Sequence, residues 1–149
     1  MTSTHAKLLY HVVFSTKCRV PYIVPDMRDK LYPYISGIVR HQKGNVVEIG
    51  GMPDHVHVLL QLAPQISVAL LLQHIKGGSS RWVQEQRLLR DRFAWQRGYG
   101  AFTVSESNVS KVRRYIQGQE EHHKKESFGS ELMRLLCKHG IPFDGDPSE

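Results

Sequence analysis

Apolar and polar residues alternate along four short stretches of the chain, which is the pattern of a β-strand with one buried face. In the first stretch, AKLLYHVVFST, alternate residues from Leu8 to Phe14 are apolar or aromatic, whereas His11 and Val13 fall on the opposite face. A glycine-rich turn, GGMPD, joins the second stretch to the third. The predicted strands comprise residues 6–16, 45–50, 53–62 and 101–107.

Apolar residues recur at helical spacing in three longer segments between and after these strands. Pro33 should kink the first helix or delay its start, and Ser67 is a plausible N-cap for the second. The third helix has Ser107 or Asn108 as its cap and carries Gly118 in its interior, where glycine costs about 1 kcal/mol relative to alanine. The predicted helices comprise residues 26–43, 67–86 and 108–126.

The elements follow one another in the order β-α-β-β-α-β-α. The first six match the ferredoxin-like, or RRM-like, βαββαβ arrangement, which is an antiparallel sheet with helices on one face, and a C-terminal helix carrying Tyr115 follows. With 149 residues and no low-complexity linker, the chain is expected to form a single α+β domain over residues 1–149. The fold class alone does not decide the function.

The third predicted strand, PDHVHVLLQL, places two histidines within an otherwise apolar run. His55 and His57 should project from the same face of the strand, because alternate residues do so. Two neighbouring imidazoles can hold one transition-metal ion, although a lone histidine at such a position is more often a polar residue on the exposed face of a sheet. A metal site would need at least one further ligand from elsewhere in the fold.

The last predicted helix supplies candidates for that ligand. Tyr115 and Gln119 are four residues apart and therefore lie on one helix face, with His122 on much the same stripe and His123 beside it. A tyrosine in an apolar stripe usually belongs to the core. A glutamine is less expected there, and its carbonyl oxygen could complete a metal shell without adding charge, which suits a metal that also holds an anionic phosphate.

The overall charge of the chain favours an anionic partner. The formal net charge is +6 with histidines counted as neutral, which favours nucleic acid over a membrane. Cys18 and Cys137 form no CxxC pair, so neither a disulfide framework nor a thiolate metal site is indicated. The N-terminus has no signal-peptide pattern, and the apolar runs are too short to span a bilayer. We therefore expect a cytoplasmic protein without membrane contact.

Basic residues that could contact DNA are scattered over three segments, TKCRVP, IKGGSSRW and WQRGYGAF. Glycines in the second segment would let backbone N–H groups approach a phosphate, and aromatic residues in the third could stack on unpaired bases. Taken singly, each segment is also explained by a solvated charged face. The candidate DNA-binding residues are Lys17, Arg19, Lys76, Arg81, Arg97 and Tyr99, with Trp95 and Phe102 as further candidates for stacking.

Four segments together resemble the single-tyrosine HUH transposases of the IS200/IS605 insertion-sequence family, namely YHVVFSTKCR, GGMPDHVHVLL, IKGGSSRW and VRRYIQGQEEHH. The sequence from His55 to His57 resembles the family's histidine–hydrophobe–histidine element, and Tyr115 and Gln119 resemble its Tyr-x-x-x-Gln element. Cys18 departs from the family pattern, which has an aromatic residue at this position. The resemblance extends over nearly the whole chain.

This resemblance implies a metal-dependent enzyme that cleaves and rejoins single-stranded DNA at insertion-sequence ends. Tyr115 would be the nucleophile and would leave a 5′-phosphotyrosine link and a free 3′-OH, while His55, His57 and Gln119 would bind the metal. Mg²⁺ and Mn²⁺ both fit such a ligand set, and imidazole favours Mn²⁺ somewhat. The family recognises hairpin ends and works as a homodimer, in which the tyrosine helix of one subunit can complete the active site of the other.

Three other interpretations are open at this point. A non-catalytic or domesticated relative of the same fold would bind hairpin or single-stranded DNA and predicts loss of the tyrosine or of a ligand, and neither is lost. Histidine-triad nucleotide hydrolases have a similar motif, but Leu59 stands where their third histidine would be. Replication and conjugation nucleases of the HUH type share the chemistry but usually occur in longer chains.

Overall fold

The computed structural model describes residues 3–90 and 92–143. Short 3₁₀ turns follow the first strand and the fourth strand. Within the described residues, no helix is both long enough and apolar enough to cross a membrane. The strands are β1 (Leu9–Ser15), β2 (Asn45–Met52), β3 (His55–Gln61) and β4 (Gly100–Val104), and the helices are α1 (Pro25–His41), α2 (Val68–Glu85), α3 (Val109–Gln117), α4 (Gln119–His122) and α5 (Phe128–Lys138).

The strands form one antiparallel sheet in the order β2-β3-β1-β4. The predicted α+β fold is confirmed: β1 and β3 pair at the centre of the sheet, and β2 and β4 lie at its edges. The register places Val13 opposite His57 and Ser15 opposite His55. Both histidines therefore lie on a central strand of the sheet, at the N-terminal end of β3.

One face of the sheet carries the main hydrophobic core. The apolar residues that alternate along β1 and β3 pack there against the apolar stripes of α1 and α2, as the periodicity predicts. Ser67 caps α2 by accepting a hydrogen bond from the backbone N–H of Leu70. The core includes Val12, Phe14, Met27, Leu31, Ile35, Val39, Val56, Val58, Leu60, Leu62, Leu71, Leu72, Ile75, Val83, Phe93 and Trp95.

Two details of α1 and β2 differ from the prediction. The delayed start expected at Pro33 is wrong, because α1 begins at Pro25 and continues past Pro33; Asp29, whose carbonyl loses its helical partner there, is exposed to water. The glycines of GGMPD belong to β2 rather than to the turn. A Cβ on Gly51, which has φ 155°, would lie 2.2 Å from the carbonyl oxygen of His55, so the hairpin requires glycine there.

The other face of the sheet is covered by the C-terminal helices. α3 lies directly on β2 because Gly50 has no side chain: a Cβ there would lie 2.8 Å from the carbonyl oxygen of Ile116. Ile116 is buried in this contact, and the ring of the neighbouring Tyr115 lies 5.8 Å from the ring of His57, measured between centroids. A smaller cluster around Val13 and Phe102 packs against α5.

The single helix predicted over residues 108–126 is wrong. The helix is interrupted at Gly118, which has φ −91° and ψ 15°, and α4 ends at His122. Of the two predicted caps, Asn108 is confirmed as the N-cap of α3, although its side chain makes no capping hydrogen bond. α5 lies outside all the predicted helices, although Ser127 accepts a hydrogen bond from the backbone N–H of Ser130 and so marks its start.

Candidate active site

The histidine pair of β3 is completely buried, so its interpretation as polar residues on an exposed sheet face is wrong. His55 and His57 each have 0% exposure, and the polar side chains that cover them come from α3, α4, α5 and the segment after α4. These side chains are Tyr115, Gln119, His123 and Glu131. The structure thus brings together every residue expected in the catalytic and metal-binding set and adds two that the motifs do not contain.

Glu131 of α5 lies at the centre of the cluster and is itself fully buried. Its Oε1 atom is 3.4 Å from Nε2 of His55, 3.1 Å from Nε2 of His57 and 3.0 Å from Nε2 of His123. Three imidazole nitrogens from two separate parts of the chain therefore point at one carboxylate oxygen. Burial favours the neutral acid, but hydrogen bonds from His55, His57 and other partners hold the pKa of Glu131 far below its usual range.

The second carboxylate oxygen of Glu131 contacts the tyrosine motif. Oε2 accepts a hydrogen bond from the hydroxyl group of Tyr115 and another, 2.8 Å long, from the side-chain amide of Gln119. Burial and the neighbouring charge of Glu131 raise the pKa of Tyr115 well above its usual value. In this arrangement Tyr115 is a neutral phenol, so its reaction as a nucleophile requires added positive charge.

His55 is held between two acceptors. Its Nδ1 is 2.7 Å from Oδ1 of Asp54, and its Nε2 is 2.9 Å from Oε1 of Gln119. Burial alone would lower the pKa of His55, but hydrogen bonds to Asp54, Glu131 and Gln119 outweigh it and raise the pKa to about 9. The contact with Asp54 also fixes the orientation of the ring, as a carboxylate behind a metal-binding histidine does.

His57 is supported by His11, a residue of β1 that carries no role in the motifs. Nε2 of His11 lies 2.8 Å from Nδ1 of His57. Burial lowers the pKa of His11 to about 3 and that of His57 to about 4, so both rings are neutral near neutral pH. The sequence signal for this contact is the alternation of β1, which places His11 on the face opposite the core residues, where the histidines of β3 also lie.

Arg134 of α5 is a further partner of Tyr115. Its Nη2 atom donates a hydrogen bond of 2.8 Å to the tyrosine oxygen, and its guanidinium carbon lies 5.6 Å from the ring centroid. The carboxylate of Glu126 accepts a hydrogen bond of 3.3 Å from the same nitrogen and keeps the side chain in place. Arg134 and Glu131 are three residues apart on one helix, so α5 brings both signs of charge to the tyrosine hydroxyl.

A cavity of about 230 Å³ opens beside Tyr115. Its wall includes the cationic side chains of Lys111, Arg134 and Lys138 and the imidazole of His11. Positively charged side chains thus line an opening beside Tyr115, an arrangement that would attract an anionic group such as a phosphate.

The donor atoms of the cluster fit a divalent metal ion. One ligand atom each from His55, His57, His123 and Glu131 lies within 4.8 Å of the others. Neutral imidazole suits Mn²⁺ and later transition metals, and a carboxylate suits Mg²⁺ and Mn²⁺. His55, whose raised pKa keeps it protonated near neutral pH in the absence of a metal, would have to release its Nε2 proton to bind an ion. The predicted third ligand, Gln119, is adjacent, with its carbonyl oxygen turned towards His55.

Several of the candidate DNA-binding residues lie on adjoining segments. The 3₁₀ turn of Lys17 and Arg19 packs against the segment that precedes Arg97, through a bridge between Thr16 and Trp95. Lys17 is exposed, and so are Arg81, Arg97 and Tyr99, whose side chain has 43% exposure.

Other residues in the basic and aromatic segments have structural partners. The ammonium group of Lys76 donates hydrogen bonds of 2.6 and 2.7 Å to the carbonyl oxygens of Gln96 and Gly98, so it supports the loop that carries Arg97. Trp95 and Phe102 are buried in the two hydrophobic clusters. Their rings are therefore not available for stacking on bases, because each already packs against protein.

Comparison with known proteins places this chain in a family. Residues 4–119 match the model of the IS200-like transposases. The transposase for insertion sequence element IS200 from Salmonella typhimurium is 30% identical over 143 residues, which are 93% of this chain and 87% of that protein. The ISDra2 transposase TnpA from Deinococcus radiodurans is 30% identical over 120 residues, which are 77% of this chain and 86% of that protein.

Two solved structures have the same fold. A crystal structure described as a transposase of Deinococcus radiodurans superposes with a TM-score of 0.64 and 28% identity, over 80% of this chain and 98% of the other. The REP-associated tyrosine transposase bound to a REP hairpin superposes with a TM-score of 0.62 and 13% identity, over 100% of this chain and 94% of the other. The family match over residues 4–119, together with relatives that are 30% identical over most of the chain, establishes that this protein belongs to the IS200-like transposase family.

Proposed function

We propose that this transposase cleaves and rejoins single-stranded DNA through a 5′-phosphotyrosine intermediate on Tyr115, with a divalent metal held by His55, His57 and Gln119. The observation that carries this proposal is the contact of Tyr115 and of both histidines with the same buried carboxylate, Glu131. That contact puts a nucleophile next to a set of converging metal donors. A metal ion bound there would draw electron density from the scissile phosphate and favour ionisation of the phenol.

The cleavage step follows from the groups around the tyrosine oxygen. Oη of Tyr115 attacks phosphorus, an oxygen–phosphorus bond forms, and the bond from phosphorus to the 3′ oxygen breaks. The phenol proton passes to Oε2 of Glu131, which already accepts its hydrogen bond, and the departing 3′ oxygen takes a proton from solvent. Because the pKa of Glu131 is far below that of Tyr115, the proton moves only as the new bond forms.

Arg134 has a different part in the same step. Its guanidinium group contacts the tyrosine oxygen and lines the cavity beside it, so it can stabilise negative charge on the phenolate and on the phosphate oxygens. Joining reverses the chemistry, with a 3′-OH attacking the phosphotyrosine and Tyr115 leaving. The phosphodiester bond energy is retained in the covalent link, so neither step requires ATP.

We further propose that the substrate is a DNA single strand with hairpin ends. A solved neighbour of the same fold is described as bound to a REP hairpin, which supports a similar ligand for this chain at the level of the fold. The net charge of +6 and the exposed Lys17, Arg97 and Tyr99 support a single-stranded ligand with an anionic backbone and unpaired bases.

The contacts of Tyr115 bear on whether the active site is assembled from one chain or from two. Tyr115 already contacts the cluster of His55 and His57 within one chain, which supports an active site assembled in cis. The homodimer expected from the resemblance stays a prediction, and a trans arrangement would require Tyr115 to leave the contacts described above.

The experiment is an adduct assay. A single-stranded hairpin oligonucleotide with the sequence of an insertion-sequence end is incubated with the protein, either with Mn²⁺ or with a chelator. The covalent protein–DNA product is then measured on a denaturing gel. We expect adduct with Mn²⁺ only. Tyr115→Phe should bind the hairpin without forming adduct, whereas Tyr99→Phe should still form it. DNA binding without adduct in the wild type would instead support a non-catalytic binding protein.

A further inference from the structure

We propose that His123 and Glu131 are additional ligands of the catalytic metal, so that this chain binds it with three imidazoles, one carboxylate and the Gln119 amide. The inference rests on the proposed function of the same site. It extends that function with two residues that lie outside the part of the chain matched by the family model, residues 4–119. It also predicts a preference for Mn²⁺ over Mg²⁺.

The geometry of the four strongest donors matches a coordination shell. At metal–ligand distances of about 2.2 Å, neighbouring ligand atoms of an octahedral shell are about 3.1 Å apart and opposite atoms about 4.4 Å apart. Oε1 of Glu131 lies 3.0 to 3.4 Å from the three Nε2 atoms, and all four donor atoms lie within 4.8 Å of one another. These separations are those of ligand atoms that share one ion.

The cluster is buried, so it is not a group of polar side chains that water solvates. Glu131 has 0% exposure, and the side chain of His123 has only 6%. A buried carboxylate is costly unless cations or hydrogen bonds compensate it, and buried charges in proteins are usually paired or bound to metals. The local structure also positions His123: it is the C-cap of α4, and its backbone N–H donates a hydrogen bond of 2.9 Å to the carbonyl oxygen of Gln119, so the two side chains lie one helical turn apart.

The composition of the shell sets the metal preference. Mg²⁺ prefers oxygen ligands and water, whereas three imidazole nitrogens favour Mn²⁺ and later transition metals. If these five residues held the metal, the ion would still be open to one further ligand, such as a phosphate oxygen of the DNA. A catalytic metal needs such an open position.

The test is a calorimetric titration of Mn²⁺ into protein freed of metal with a chelator, without DNA. The variants are Glu131→Gln and His123→Ala. The matched control is Glu126→Gln, because Glu126 is a nearby carboxylate that contacts His122 and Arg134 but lies outside the converging donors. We expect each test variant to weaken Mn²⁺ binding by at least about tenfold, since even outer-shell changes cost about 10–100-fold. The control should keep the wild-type affinity, and Mg²⁺ should bind the wild type at least about tenfold more weakly than Mn²⁺.

The outcomes separate this inference from the proposed function. Wild-type Mn²⁺ affinity in folded Glu131→Gln and His123→Ala would overturn the additional ligands, while Mn²⁺-dependent adduct by the wild type would leave the proposed function intact. Absence of Mn²⁺ binding by the wild type would overturn both. Circular dichroism checks folding, and if Glu131→Gln does not fold, His123→Ala and the preference between Mn²⁺ and Mg²⁺ decide the result.

Discussion

At the scale of single residues, Glu131 is a member of the candidate site that neither sequence motif contains. HVH and Tyr-x-x-x-Gln can be found in the sequence because strand alternation and helical spacing place their members on shared faces. Glu131 is 74 residues from His57 and 12 from Gln119, and no local spacing connects it to either. His11 is a partial exception, because its face on β1 is predictable although its contact with His57 is not. Sequence patterns therefore do not contain the charged groups that tertiary packing brings together at this site.

The buried histidines predict a maximum in the stability of the metal-free protein. The pKa values of His11 and His57 are lowered to about 3 and about 4, so the unfolded state binds more protons below pH 6.5 and stability falls as the pH drops through that range. The pKa of His55 is raised to about 9, so its contribution is complete below pH 6.5 and is lost as the pH rises to about 9. The free energy of unfolding should therefore be greatest near pH 6.5 to 7.

Urea denaturation in a chelator, across this range, measures the effect. His55→Gln should remove most of the decrease in the free energy of unfolding between pH 7 and pH 9, whereas His41→Gln, at an exposed position on α1, should keep that decrease. A wild-type stability that does not decrease between pH 7 and pH 9 would contradict the assigned role of His55.

Removal of the arginine at the tyrosine oxygen should slow cleavage without affecting the metal. We expect Arg134→Ala to lower the rate of adduct formation at saturating DNA by about 100-fold, which is typical for loss of one preorganised donor in an active site. Its Mn²⁺ affinity should equal that of the wild type, because the guanidinium group has no metal-binding atom. Arg113→Ala, on the tyrosine helix but paired with Glu48 at 3.4 Å, should keep the wild-type rate. An unchanged rate in Arg134→Ala would exclude the arginine from the step.

At the scale of the elements, the active site depends on how the C-terminal helices sit on the sheet. The periodicity predicts β1 to β4, α1 and α2 within a few residues, because each buries one regular face in the core. The region after Asn108 is less predictable, since Gly118 ends a helix whose polar pattern continues beyond it. α5 is amphipathic but short, and its place over the histidines depends on contacts from Phe128, which stacks on His55 at 4.4 Å.

Gly50 is the position where this packing can be tested. In Gly50→Ala, the new methyl group would meet the carbonyl oxygen of Ile116 at 2.8 Å and its Cγ2 at 2.9 Å, so α3 must move away from β2. We expect a loss of stability of about 1–3 kcal/mol, as for other overpacked sites, and slower adduct formation because Tyr115 is displaced. The matched control is Gly77→Ala in α2, where a Cβ meets nothing within 4 Å. Helix propensity predicts that the control is neutral or stabilised by up to about 1 kcal/mol. Equal stability of the two variants in urea denaturation would show that α3 is not held by this contact.

At the scale of the whole molecule, one chain contains all the residues proposed for a complete site. We therefore predict that mixed dimers of Tyr115→Phe and His55→Ala, purified by two different tags, form no adduct. In a trans arrangement, the tyrosine of one subunit and the histidines of the other would make one complete site and restore cleavage. Restored cleavage, with each variant inactive alone, would contradict the cis arrangement. Light scattering of the wild type establishes whether a dimer forms, and a monomer that forms adduct would agree with the cis site.

The proposed mechanism requires that Tyr115 forms the covalent bond to DNA. The most direct measurement is mass spectrometry of the protease-digested adduct made with Mn²⁺ and a single-stranded hairpin substrate. We expect the peptide containing Tyr115 to carry the added mass of a 5′-phosphorylated nucleotide and the released strand to end in a 3′-OH. A nucleotide attached to Tyr99 or to any other residue, or a released strand with a 3′-phosphate, would contradict this mechanism.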